Sequence, residues 1–290
     1  MSWRTVVISS RAKLDLKLGY LVVRTEEIKK IHLSEISVLL IESTAVSLTA
    51  SLLNELAEHK IKVIFCDKKR NPQSELVSFY GCHDTSEKIR TQIKWDPFFK
   101  ELVWTEIVRN KIFQQKELLL SLGLVQAELL NNYLNELEHN DASNREGHAA
   151  KVYFNALFGN DFTRSADTPV NAALNYGYGI ILSIFNREIV SNGYLTQLGL
   201  FHNNIFNYFN FSSDLMEPFR PLIDKEVLIM QPQCFEREQK LKILDVLNQE
   251  IFIGSRTQNV TNAIKIYCKS VFDALNENEL SLLRFYRNEL

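Results

Sequence analysis

Near residue 82 the hydrophobic pattern of the chain changes period, and no single regular architecture accommodates both halves. Before that point, short runs of β-branched and aromatic residues recur at Trp3–Ser9, Lys13–Leu18, Tyr20–Arg24, Glu27–His32 and Ile36–Ile41, broken by Ser-Arg, Gly19 and Glu-Glu turn signals. Ala-Lys-Leu-Asp-Leu-Lys-Leu from Ala12 alternates, which places leucines inward and charges outward. Short strands at this spacing predict an antiparallel sandwich rather than a parallel sheet. One helix follows over Ser47–Lys60 on the stripe Leu48, Leu52, Leu53 and Leu56, and strands return at Ile61–Cys66 and Glu75–Tyr80.

Beyond Asp84 the apolar spacing is helical. Ser86–Gly123 is a long run broken at Asp96-Pro97, where proline suits a helix first turn. Its charges alternate in sign (Lys94, Lys100, Glu101, Glu106, Arg109, Lys111), which reads as a solvated outer face. Helices are expected over Leu124–His139, 144–158, the region before Gly199, Glu236–Ile251 and Gln258–Asn276. The fold class is therefore α+β: a small β-sandwich-like domain with one helix over residues 1–82, then a larger all-α domain over 83–290.

At 290 residues and 46% hydrophobic the chain can bury a sizeable core. A formal charge of -2 argues against a uniformly basic nucleic-acid binder, so DNA contact would rest on local cations or on metal at the phosphate. Cys66, Cys82, Cys234 and Cys268 lack paired short spacing, which disfavours a zinc site or a disulfide framework and fits reduced thiols. No apolar stretch approaches the ~20 residues of a membrane helix. A soluble, cytoplasmic protein is expected. Gly-rich phosphate loops and Ser or Cys nucleophile motifs are missing from the sequence, so any chemistry has to come from acids.

Two stretches supply them. In Gly199–Asp224, His202 precedes Asp214 and Glu217 among Phe206, Tyr208, Phe209, Phe211 and Phe219. Ser212 or Ser213 can cap a helix there, and residues three apart share a face, so Asp214 and Glu217 project together with Arg220 and Asp224 beyond. Oxygen ligands, one imidazole and apolar walls are what a hard divalent cation needs. A capped amphipathic helix with solvated acids and a core histidine accounts for the same residues. In 144–158, Glu146, Ala149, Ala150 and Tyr153 share a helical face, which lets a lone acid approach a ligand closely. Between the two stretches, PVNAALNYGYG carries Asn171, Asn175, Tyr176 and Tyr178, suited either to phosphate contact or to tight helix packing. Arg164 before it suits two phosphate oxygens or a structural ion pair.

REGHAAKVYF at 145–154, PVNAALNYGYGII at 169–181, GLFHNN at 199–204 and SSDLMEPFRPLID at 212–224 resemble the CRISPR adaptation integrases, the metal-dependent enzymes that insert spacer DNA into CRISPR arrays. The N-terminal part is similar to the form found in type II systems. The resemblance implies Glu146, His202 and Glu217 as catalytic metal ligands for Mg2+ or Mn2+, with Asp214 behind them orienting His202 or a metal-bound water. It also turns PVNAALNYGYG toward an active-site wall, and the candidate DNA contacts are Arg164, Asn171, Asn175, Tyr176 and Arg220. Implied partners are double-stranded DNA, a second copy through the β-rich domain, a small ferredoxin-like adaptation protein and other type II CRISPR proteins. The implied reaction is attack of a DNA 3′-hydroxyl on a phosphodiester. A plain metal-dependent nuclease and a non-catalytic helical DNA-binding scaffold are the alternatives.

Overall fold

The computed structural model describes residues 4–78 and 82–287. Trp3, Tyr80 and the expected end of the first domain near Gly81 lie outside them. The chain divides into two compact units, one reaching to Thr85 and joined by Val190–Gly193, the other formed by Ser86–Ile189 and the chain from Tyr194.

The first unit holds β1 (Arg4–Ile8), β2 (Ala12–Lys17), β3 (Tyr20–Arg24), β4 (Ile28–His32), β5 (Ile36–Ile41), β6 (Val46–Leu48), α1 (Ala50–Glu58), β7 (Lys62–Cys66) and β8 (Pro72–Leu76). They make two four-stranded sheets, ordered β1-β5-β7-β8 and β4-β3-β2-β6. Val6, Leu14, Leu21, Leu39 and Val63 from both sheets meet Leu52 and Leu56 of α1 in one core. The antiparallel expectation holds for β2-β3-β4 and for β7-β8, and fails for β1-β5-β7 and for β2-β6, which pair in parallel. Continuous apolar runs signal this, since all six residues of β5 are buried, and a strand covered on both faces does not alternate. Leu18, read as inward, stands 87% exposed at the β2–β3 turn in left-handed backbone, φ 52°. The expected helix start at Ser47 is strand β6. Thr49 then caps α1, its hydroxyl accepting from Leu52 N.

The second unit is built on α3 (Pro97–Ser121), which packs against α4 (Gln126–Asn135), α5 (Arg145–Phe158) and α10 (Val260–Glu277). Asp96 accepts from Phe99 N at 2.8 Å and Pro97 opens the helix, while α2 (Thr85–Ile93) precedes the break. The other helices are α6 (Pro169–Ser191), α7 (Asn210–Met216), α8 (Arg220–Met230) and α9 (Arg237–Asp245). Among the described residues the regular structure of the unit is helical apart from one hairpin, β9 (Glu250–Ile253) and β10 (Arg256–Asn259), set where helix ends were expected, and a single bridge from Phe252 to Arg287. Gly254-Ser255 forms its turn with both φ positive, at 59° and 68°, and Gly-Ser between apolar runs was the available signal.

Candidate active site

Glu146 lies in the first turn of α5, where the helix dipole favours an acid. The residue before the helix, Asn144, offers no side-chain bond. Asp141 does the capping instead, accepting from Arg145 N at 2.6 Å and Glu146 N at 3.2 Å. Glu217 begins a single 3-10 turn, Glu217–Phe219, that joins α7 to α8. Pro218 and Pro221 remove two amide donors there, so the helix cannot run straight through. Ser212 and Ser213 sit inside α7 and cap nothing; Ser212 is buried and bonds Asn186 at 2.5 Å.

Asp214, fully buried, faces the other way and organises the 199–202 loop. Its carboxylate accepts from Leu200 N at 2.6 Å, from Phe201 N and His202 N at 3.1 Å, and meets His202 Nδ1 at 2.5 Å. The loop comes so close that a Cβ on Gly199 would lie 2.3 Å from His202 O and 2.8 Å from Asp214 Oδ2. Half-buried His202 has its pKa raised, first by the Asp214 hydrogen bond, against which burial acts, and further by the charges of Asp214, Glu217 and Glu146. Trp104 of α3 stacks on Phe201 with centroids 4.7 Å apart and meets the His202 ring edge-on at 5.8 Å.

Lys111, read as part of a solvated face, is 8% exposed and stands between the two glutamates. Its Nζ lies 2.5 Å from Glu146 Oε1 and 2.5 Å from Glu217 Oε2. The contact to Glu146 is an aligned hydrogen bond. Buried Glu217 Oε2 has no aligned hydrogen bond, although its partner oxygen Oε1 pairs with Arg220 at 2.9 Å. Burial would push the Lys111 pKa down, but Glu217 and Glu146 outweigh it and the net direction is up. Burial likewise acts to raise Glu217, and Arg220 and Lys111 reverse it to a net lowering.

Further along α8, buried Asp224 accepts from Tyr153 OH of α5 at 3.0 Å and from Tyr178 OH of α6, and its pKa rises to about 6 because it is desolvated. Asp214, Glu217 and Asp224 therefore bond to three different sets of groups.

The residues expected at DNA divide. Arg164 bonds Asn171 and, at 2.7 Å, exposed Asn175, and its guanidinium lies 5.4 Å from the Tyr178 ring centroid. Asn171 is 3% exposed, and its amide also donates to Thr163 O and Ala166 O, both at 2.8 Å, so its bonds are spent inside its own turn. Tyr176 is 3% exposed with Lys240 5.3 Å over its ring, and Arg220 is tied to Glu217. Of the expected aromatic wall, Phe211 and Phe219 are fully buried, whereas Phe206 and Tyr208 stand 83% and 71% exposed.

Among the described residues, one trio of His, Cys and carboxylate groups has its ligand atoms within 4.8 Å of one another, and it is Cys82, His83 and Asp84 at the unit boundary. Glu146, His202 and Glu217 are drawn together more loosely, with the two acids gathered on Lys111. Lys111 was legible in principle: it sits at helical spacing with Trp104, Ile107, Val108 and Gln115, all buried, which places its charge on an apolar stripe.

The family model described as CRISPR associated protein Cas1 matches residues 5–239, which include Lys111, Glu146, His202, Asp214 and Glu217. This chain belongs to the Cas1 family. It is 35% identical over 235 residues to the CRISPR-associated endonuclease Cas1 of Neisseria meningitidis serogroup C (strain 8013), covering 80% of this chain and 77% of that protein. Among solved structures, a chain of a Cas6-RT-Cas1–Cas2 complex superposes with TM-score 0.74 at 18% identity, over 97% of this chain and 36% of that longer one. A casposase bound to integration product gives TM-score 0.73 at 15% identity, over 97% and 92% of the two chains. At those identities the two structures speak for the fold, and the Cas1 assignment rests on the sequence matches. No helix among the described residues is long and apolar enough to cross a membrane.

Proposed function

We propose that this Cas1-family chain is a metal-dependent DNA integrase, which joins a short duplex spacer to a CRISPR repeat by attack of a 3′-hydroxyl on a phosphodiester. The observation that carries the proposal is the gathering of Glu146 and Glu217 on a single cationic centre, beside a histidine fixed by a buried carboxylate.

The donor set fits Mg2+ or Mn2+. Two carboxylates and one imidazole without thiolate suit a hard or borderline ion, and Glu146 and Glu217 already share one cation, the Lys111 ammonium. Glu146, His202 and Glu217 would hold the ion. When bound, it supplies positive charge at the phosphate and lowers the pKa of the attacking hydroxyl. Asp214 accepts a hydrogen bond from His202 Nδ1–H, so in the neutral ring Nε2 is the nitrogen that would carry the lone pair for the ion. Arg220 holds the second oxygen of Glu217 in place. Arg164 and Asn175 form a polar edge suited to phosphate oxygens. The attacking group belongs to DNA, so no protein nucleophile is needed.

Two copies would pair through the β-rich unit, and the chain would act with a small Cas2-type partner, since the Cas6-RT-Cas1–Cas2 complex unites Cas1 and Cas2. The four free cysteines and the DNA substrate fit action in the cytoplasm.

Insertion of a labelled duplex into a supercoiled repeat plasmid tests the reading. Covalent joining that needs the small partner and added Mg2+ or Mn2+, and stops in EDTA, is the expected outcome. Cleavage of branched and linear DNA alike without joining would leave a nuclease, and DNA binding with neither joining nor cleavage at any metal concentration would leave a scaffold.

A further inference from the structure

Lys111 forms two of the shortest ion pairs in the helical unit, both to groups assigned above to the metal. An ammonium that is 8% exposed needs compensation by negative charge, and two carboxylates this close need a cation between them. Each requirement answers the other. The cluster of Glu146, Glu217, Lys111 and Arg220 holds two negative and two positive charges, so it is neutral before any ion arrives. A divalent ion added to that neutral cluster would leave an uncompensated double charge in a largely buried place. Moving Lys111 outward removes one of those charges and frees a carboxylate oxygen on each glutamate. Arg220 is less able to leave, because its guanidinium also lies 4.8 Å from the Tyr178 ring centroid. Lysine is the mobile member, a point charge on a flexible four-carbon stem.

We propose that Lys111 is an internal stand-in for the metal: it keeps Glu146 and Glu217 gathered in the metal-free protein, and it is displaced from between them when a divalent cation binds. The inference rests on the metal reading above and adds to it that metal affinity is set by competition with this side chain. Lys111 is thus a positioning residue whose removal tightens metal binding.

Two measurements test it on the full chain. Acetylation of Lys111 by an amine-reactive ester, read by mass spectrometry of its peptide, is expected to rise at least threefold from EDTA to saturating Mn2+. Mn2+ affinity, followed by the electron paramagnetic resonance of the free ion with Glu217→Gln defining binding elsewhere, is expected to be at least tenfold tighter in Lys111→Met than in wild type. Unchanged labelling in a wild type that binds Mn2+ overturns the displacement and leaves the metal reading standing. Equal or weaker affinity in folded Lys111→Met does the same. Absence of Mn2+ binding at this site in both proteins overturns both readings. Should Lys111→Met not fold, labelling of the wild type decides alone.

Discussion

In the first unit the interior is aliphatic: Leu14, Leu21, Ile36, Leu39 and Val63 are fully buried, and polar burial among the described residues amounts to Ser37, Glu42 and Lys62, the last paired with Glu75. In the helical unit Lys111, Asp214, Glu217 and Asp224 are all under 9% exposed. The two interiors contribute differently to the molecule. A buried leucine stabilises by roughly 1.5–3 kcal/mol, whereas a buried ion pair is near break-even against a hydrophobic substitute. Charges retained in the second core are therefore poorly explained by stability and well explained by chemistry.

Substitutions can break that contrast. The largest effect is expected at the acids: Glu146→Ala, His202→Ala and Glu217→Ala should each lower strand transfer below detection, by roughly 10³-fold or more, since the charge stabilisation of the reacting phosphate is lost. Gel assay of plasmid insertion, with DNA affinity and sedimentation as controls, reads this; retained joining in all three would remove the assigned roles. In the aliphatic core, Leu39→Ala should cost about 2–5 kcal/mol in denaturant unfolding and leave Mn2+ affinity unchanged. A shift in metal binding with that variant would mean that the two interiors are not independent.

Asp224 sharpens the contrast through pH. Its folded pKa is about 6, raised from 3.8, so the folded state holds a proton that the unfolded state has released between those values. Stability from this group is complete below about pH 4 and is lost as pH rises through about 6, a change of roughly 3 kcal/mol for a two-unit shift. Chemical unfolding of wild type against Asp224→Asn from pH 4 to 8 should show the difference shrinking to the acid side. A flat difference would assign Asp224 an ordinary pKa.

The smallest effect is expected at Asp214→Asn, about 10- to 100-fold in rate, because the amide can accept for only part of the backbone trio and His202 loses its charged partner. A dead Asp214→Asn beside a near-normal Glu217→Ala would exchange their roles.

Local sequence determined a good deal. The Asp96-Pro97 helix start and the helical spacing around Glu146 depend on neighbours within a turn or two and stand where the pattern placed them, while the alternation of β2 holds at Ala12 and Leu14 and ends before Leu18. Four ordered motifs carried the family in the same way. Parallel pairing of β1, β5 and β7 was not fixed locally, because a fully apolar strand accepts partners in either direction. Spacing also put Asp214 and Glu217 on one helical face, yet Pro218 and the chain's path turn Asp214 to the His202 loop and Glu217 to Lys111. The place of Lys111 depended on charges 35 and 106 residues away, and only tertiary structure brings a lysine and two glutamates from separate helices into one buried cluster.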